Sequence, residues 1–252
     1  LFEGKTILIS GGAGFIGSYL IAVFLTLNKT LFRKPCTIIV LDNFIAGSKR
    51  NMLIHTENDS RFQLIEHDVC RPLPDINADY IIHAAGLASP QHYRKSPIET
   101  IEVAVTGTKN LLELARQKNV RGVLHFSSSE VYGDPHPDFI PTPETYWGNV
   151  STTGPRACYD ESKRLSETLC STYHQLYAVP VKTVRPFNIY GPGMRIDDSR
   201  AITTFMVHGI HGKPLPVHDK GYQTRTFCYI TDAIQGFLKV LLLGRSGEIY
   251  NV

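Results

Sequence analysis

Long apolar runs, paired cysteines and blocks of like charge are all missing from the 252-residue sequence, and each absence excludes a class of protein. The longest apolar stretches, such as Cys36 to Leu41 and Phe237 to Leu243, are far too short to span a bilayer, which takes about 20 residues of helix. Lysines and arginines form no run and the net charge is only +3, so no nucleic-acid partner is expected. The five cysteines (Cys36, Cys70, Cys158, Cys170, Cys228) are scattered, with no Cys-x-x-Cys spacing. They read as structural thiols in a reducing compartment. Histidines such as His55, His67 and His211 are not spaced as metal ligands, and no metal is expected. No signal peptide is visible, because the chain starts just ahead of a first candidate strand at Thr6. A cytoplasmic protein is expected, with the question of a leader or membrane stem before residue 1 left open.

What is present is the composition of an ordinary globular protein, 42% hydrophobic and 19% charged, long enough for one large α/β core and a smaller lobe. Short apolar, β-branched runs at Thr6–Ser10, Thr37–Leu41, Phe62–Glu66, Tyr80–His83, Val123–Phe126 and Val181–Val184 read as strands. Helical spacing separates several of them, at Phe15–Thr26, Ile98–Gln117 and Asp160–Tyr177. In the last of these, Leu165, Leu169, Tyr173 and Leu176 are expected on one buried face. Alternating strands and helices imply a doubly wound parallel sheet of the Rossmann type. Residues 1–185 are expected to form the dinucleotide-binding domain. Residues 186–252, richer in Gly and Pro, are expected to form a C-terminal substrate lobe, incomplete at its end.

Between the first strand and helix lies Gly11-Gly12-Ala13-Gly14-Phe15-Ile16-Gly17. Glycines at these intervals allow a tight turn (Gly11), close approach of a pyrophosphate (Gly14) and close helix–strand packing (Gly17). The helix N-terminus supplies unpaired N–H groups and positive partial charge for that pyrophosphate. Such a loop alone is a weak signal. Here it has the required context and an acid, Asp42, ending the second strand. A carboxylate there accepts hydrogen bonds from ribose hydroxyls and repels a 2′-phosphate, which favours NAD over NADP. The expected cofactor contacts are Gly11, Gly14, Phe15, Ile16, Gly17, Asp42, Asn43, Asp68, Val69 and Ala84, together with Tyr159 and Lys163.

Tyr159 and Lys163 stand four apart, and so share one helix face a turn apart. The ammonium is expected to lower the phenol's pKa and make it a base near neutrality.

The order of motifs is the glycine loop, His83-Ala84-Ala85-Gly86, Ser127-Ser128-Ser129-Glu130-Val131-Tyr132-Gly133-Asp134, Tyr159-x-x-x-Lys163 and Arg185-Pro186-Phe187-Asn188-Ile189-Tyr190-Gly191-Pro192. From end to end it resembles the extended short-chain dehydrogenases that modify nucleotide sugars. Leu87-Ala88-Ser89-Pro90, Tyr146-Trp147-Gly148-Asn149-Val150 and Gly154-Pro155-Arg156-Ala157-Cys158-Tyr159-Asp160-Glu161 resemble the UDP-glucuronate decarboxylases within that family. Ser199-Arg200-Ala201-Ile202-Thr203 carries a fainter likeness to the decarboxylases of the aminoarabinose route.

The resemblance implies NAD as cofactor and a nucleotide sugar as substrate. It implies that Tyr159 takes the sugar 4-hydroxyl proton while hydride passes to NAD, that CO₂ leaves the resulting β-keto acid, and that hydride returns to give a pentose. Lys163 is implied to hold the nicotinamide ribose, Ser128 to bond the sugar 4-oxygen and Glu130 to assist proton transfer near C5. Ser129, Asn188, Arg200 and Arg225 match substrate positions. The dehydratases of the family carry an aspartate where this chain has Ser129. Glu102-Val103-Ala104 departs from the decarboxylases' Lys-Thr-Asn. A glutamate there would oppose a sugar carboxylate, so Glu102 is expected to face away from it. A homodimer is implied, built on the helices at Ile98–Gln117 and Asp160–Tyr177; the crowding of Leu111, Leu112 and Leu114 points to more than one buried helix face. A 4,6-dehydratase or 4-epimerase, and a noncatalytic nucleotide-binding scaffold, are the rival readings.

Overall fold

The computed structural model describes residues 1–49, 59–217 and 220–252; His55 lies outside the described residues. A seven-stranded sheet runs in the order β3-β2-β1-β4-β5-β6-β9, every neighbouring pair parallel. Its strands are β1 (Thr6–Ser10), β2 (Thr37–Asp42), β3 (Phe62–Glu66), β4 (Tyr80–His83), β5 (Gly122–Phe126), β6 (Val181–Arg185) and, last in the chain, β9 (Ile249–Asn251). Alternation along each strand sends side chains to opposite faces. Ile7, Ile9, Ile82 and Leu124 join one apolar core with Leu20, Ile21 and Phe24 of α1 (Phe15–Thr30). Leu8, Ile81, Val123 and Val181 face the other core. That core contains Leu111, Leu112, Leu114 and Ala115 of α4 (Thr108–Lys118), with Cys170 and Tyr173 of α5 (Ala157–Tyr177).

The strand order reverses between β1 and β4, and a crevice opens there at the carboxyl ends of the strands, where ligands bind in such sheets. Around it lie α2 (Pro90–Lys95) and α3 (Pro97–Glu102), the latter leading through a π-helical stretch (Val103–Gly107) into α4. The helix expected over Ile98–Gln117 is therefore continuous in space but locally widened.

Three expectations are corrected. The division after residue 185 does not follow the sheet. The segment past β6 forms a small parallel pair, β7 (Asn188–Tyr190) with β8 (Phe227–Tyr229), and α6 (Ala201–Ile210). It then returns: α7 (Ile230–Leu243) buries Ile234 and Phe237 in the α1 core, and β9 pairs with β6. Residues 230–252 complete the large sheet because α7 carries the apolar face that covers it. Second, α5 buries only part of the stripe Leu165, Leu169, Tyr173 and Leu176: Tyr173 is buried and Leu169 packs against the core, but Leu165 and Leu176 are 47% and 66% exposed. Its buried face is Tyr159, Lys163, Ser166, Cys170 and Tyr173. Polar groups are tolerated there because they are hydrogen-bonded. Third, Leu111, Leu112 and Leu114 need no second copy, since this protomer's own core buries all three.

At the first turn, Gly11 has φ +76°, and a Cβ on it would lie 2.5 Å from the Ala85 amide nitrogen. A Cβ on Gly17 would run into the Gly11 carbonyl oxygen and lie 2.7 Å from the Gly12 Cα. Alanine gains about 1 kcal/mol over glycine in a helix, but overpacking against backbone costs about 1–3 kcal/mol. The clash wins. Gly17→Ala is expected to lower the free energy of unfolding by up to about 2 kcal/mol in urea titration, whereas a stabilising effect would mean that α1 can slide off the loop.

Candidate functional site

Two clefts meet over Ala84 and Gly86, which line both. Gly11, Gly14, Asp42, Asn43, Asp68 and Val69 line the first, so the expected adenosine-end residues converge. Phe15, Ile16, Tyr159, Lys163, Ser128, Ser129, Glu130, Asn188, Arg200 and Arg225 line the second. Gly17 lines neither cleft and packs behind the loop.

Asp42 is fixed by the backbone around it. Its two carboxylate oxygens accept from the Ala13 and Phe44 amides, each at 2.8 Å. Burial raises its pKa, opposed by those two hydrogen bonds. Glu99 and Glu102 share its cleft with Asp42 and Asp68, an acidic rim that spacing alone did not reveal. Glu102 thus lines the first cleft and not the one around Tyr159. A glycine turn that excludes any side chain, an adjoining helix N-terminus and an anchored carboxylate at the end of β2 fit a dinucleotide. Four carboxylates oppose an extra phosphate on it.

In the second cleft, α5 presents Tyr159 and Lys163 from its first turns. Tyr159 is 5% exposed and its ring stacks on Tyr93 at 5.2 Å between centroids. The Lys163 ammonium donates to the Phe126 carbonyl at 2.6 Å, at the end of β5. Burial pushes Lys163 down to about 8, partly offset by Glu167 and Cys170. Burial pushes Tyr159 up to about 12; a hydrogen bond with Ser128 lowers it, Glu130 and Asp160 raise it, and Arg200 lowers it. The expectation that Lys163 draws the phenol toward neutrality is corrected. The ammonium stands 6.0 Å from the ring centroid, bonded elsewhere, and desolvation dominates.

Beneath Lys163 two histidines are held neutral. His83 is pushed down to about 3 by burial and then by Lys163, with its ring nitrogens on Ser10 at 2.8 Å and Thr108 at 3.0 Å. His125 falls well below its usual value, by burial first, then His83 and Lys163, and bonds Ser166 at 2.9 Å. Among the described residues no group of three His, Cys, Asp or Glu is placed to hold a metal ion.

The partners of Glu130 and Asn188 are distant in the chain and were not legible in sequence, whereas those of Arg200 and Arg225 are near neighbours. Glu130 pairs with Arg156, which lies 3.8 Å from Asp160. Burial raises Asp160 to about 6; Arg156 lowers it, and Glu130 and Glu161 raise it. Arg200 is held by Asp198 at 2.6 Å, and the Asn188 amide donates to the Thr226 carbonyl at 2.9 Å. Arg225 is exposed and donates to the neighbouring Thr224 carbonyl at 2.6 Å.

A doubly wound sheet with a glycine turn, an acid ending β2 and a Ser, Tyr, Lys cleft beside it fits a dinucleotide-dependent enzyme, and residues 7–252 match one family throughout. The chain belongs to the NAD dependent epimerase/dehydratase family. It is 44% identical to UDP-glucuronic acid decarboxylase 3 of Arabidopsis thaliana over 243 residues, 96% of this chain and 68% of that protein. It is 42% identical to UDP-glucuronic acid decarboxylase 1 of Xenopus tropicalis over 239 residues, 95% of this chain and 54% of that one. Among solved structures, dTDP-glucose 4,6-dehydratase from Streptomyces venezuelae, determined with NAD bound, superposes with a TM-score of 0.81 at 28% identity, covering 98% of this chain and 75% of that chain. In this family member, as in its relatives, NAD is the cofactor. Among the described residues no helix is long and apolar enough to cross a membrane.

Asp42→Asn removes the charge but keeps one acceptor. Fluorescence titration is expected to show weaker NAD binding and a reduced preference for NAD over NADP; an unchanged ratio would assign selectivity to the other acids of the rim.

Proposed function

We propose that this protein decarboxylates UDP-glucuronate through a 4-keto intermediate, giving UDP-xylose or the 4-keto pentose. The observation that carries the reading is Ser129, between Ser128 and Glu130 on the wall facing Tyr159. Loss of water from C6 needs an acid at that place, and a serine hydroxyl is far too weak at neutral pH. Loss of CO₂ needs none. A small neutral side chain also leaves room for a C6 carboxylate without repelling it. The decarboxylases among the relatives are 42–45% identical to this chain, which supports the same reading.

The glycine loop, Asp42 and Asn43 would hold the adenosine end of NAD, and Lys163 and Tyr159 the nicotinamide end. When bound, NAD supplies the acceptor and later the donor of the C4 hydride, and a positive ring charge that favours the phenolate. Tyr159 accepts the proton of the C4 hydroxyl as that carbon becomes a ketone, and Ser128 donates to the C4 oxygen. The ketone is then β to the carboxylate. The C5–C6 bond breaks, CO₂ departs, and its electron pair passes to C5 and the C4 carbonyl as an enolate. Glu130, kept in place by Arg156, assists return of a proton to C5. Arg200 and Arg225 offer guanidinium forks to the diphosphate.

We read the assembly as a homodimer. Its support is apolar exposure on the helices named for it: Ile98 at 62% on α3, and Leu165 and Leu176 on α5. Light scattering at micromolar concentration is expected to report twice the chain mass; a monomer would contradict it.

Tyr159→Phe keeps the stacked ring and removes the base. Turnover of UDP-glucuronate is expected to fall by about 10²- to 10⁴-fold with NAD still bound; near-normal turnover would remove Tyr159 from the mechanism. The pH dependence follows from Lys163. Its positive charge is present below about 8 and lost above it, so kcat is expected to decline as pH rises through that value. A rate still climbing well above it would show that the ammonium is not required.

A further inference from the structure

Tyr159, Lys163 and Glu167 recur every four residues on α5, and all three grip the end of one strand. Tyr159 bonds Ser128, Lys163 bonds the Phe126 carbonyl at 2.6 Å, and Glu167 accepts from the Ser127 hydroxyl at 2.5 Å. Glu167 is itself clamped. The Arg185 guanidinium on β6 donates to its two oxygens at 2.8 and 2.6 Å, and both side chains are about nine-tenths buried. Arg185 also donates to the Tyr132 hydroxyl at 2.8 Å and the Glu144 carbonyl at 3.0 Å, at the far end of the serine loop. Tyr132 in turn donates to Asn251 on β9 at 2.7 Å.

We propose that Glu167, backed by Arg185, is a positioning residue for the Tyr159, Lys163 and Ser128 site. Its carboxylate locks Ser127, and through it Ser128, against α5, and supplies the negative charge that Lys163 needs in the protein interior. The other titratable groups facing Lys163 are His83 on β4, His125 on β5, and Tyr159 and Cys170 on α5. Both histidines are neutral. Cys170 is pushed well up by burial and stays a neutral thiol, and Tyr159 is protonated in the absence of ligands. Glu167 is left as the anion on the lysine's own face. The inference rests on the reading of Tyr159 and Lys163 as the reacting pair.

Two variants separate the clamp from the charge. Ser127→Ala cuts the tie to the strand end and leaves the Glu167–Arg185 pair intact. Its kcat is expected to fall about 10- to 100-fold with KM for UDP-glucuronate nearly unchanged; wild-type kcat would overturn the clamp. Glu167→Gln keeps shape and hydrogen-bonding atoms but removes the charge. Carbon-13 titration of the lysine Cε in the cofactor-free chain, assigned with Lys163→Met, is expected to move the Lys163 midpoint down by about one unit. A folded Glu167→Gln protein with an unmoved midpoint overturns the electrostatic role. Should that variant fail to fold, Glu167→Asp keeps the charge and withdraws from Ser127: the midpoint should hold while kcat falls, and wild-type kcat would again overturn the clamp. The lysine titration needs no substrate. If the wild-type protein leaves UDP-glucuronate untouched, the functional reading fails while the titration still decides whether Glu167 governs Lys163.

Discussion

A protonated lysine in the interior of a sheet protein is strongly unfavourable unless its surroundings are arranged for it. Lys163 sets that constraint here, and much of the site follows from it. The ammonium needs an oxygen, which is the carbonyl that closes β5. It needs uncharged neighbours, and His83 and His125 are kept neutral by burial and tied to hydroxyls. Meeting these needs brings the end of β5, and the serines after it, into contact with the first turns of α5. Tyr159 and Ser128 are thereby placed together.

Electrostatics divide the crevice along its length. Its first half is lined by Asp42, Asp68, Glu99 and Glu102. Among the described residues the second half is lined by Arg156, Lys163, Arg200, Arg225 and one acid, Glu130, with Asp160 and Asp198 beside Arg156 and Arg200. An anionic sugar nucleotide suits the second half and a dinucleotide without a further phosphate suits the first. Glu102 belongs to the acidic half and does not line the cleft around Tyr159.

The parts legible in sequence were those with local causes. The glycine turn, Asp42 at a strand end, the alternation of strands and helices, and the Tyr-x-x-x-Lys spacing each depend on residues close in the chain. The parts that were not legible depend on distant ones. Leu165 and Leu176 looked like a buried stripe because apolar spacing is the usual signal, yet α5 turns its hydrogen-bonding face to the sheet. The partners that make that face tolerable come from β5 and β6, and spacing along α5 carries no sign of them. Residues 230–252 were assigned to the outer lobe because they follow it in the chain, while α7 is sorted by the core it covers. Tyr93 against Tyr159 and Arg156 against Glu130 are likewise contacts between segments, visible only once the chain has closed on itself.

The central claim is that the pair Ser129 and Tyr159 commits the oxidised sugar to loss of CO₂ and not of water. It is tested most directly by supplying the wild-type protein and NAD with UDP-glucuronate labelled with carbon-13 at C6, and with dTDP-glucose or UDP-glucose in parallel, and following each by mass spectrometry. The account predicts labelled CO₂ together with a UDP-pentose or its 4-ketone, and no dehydrated product from either glucose nucleotide. Efficient dehydration of a glucose nucleotide, with no labelled CO₂ from UDP-glucuronate, would contradict it.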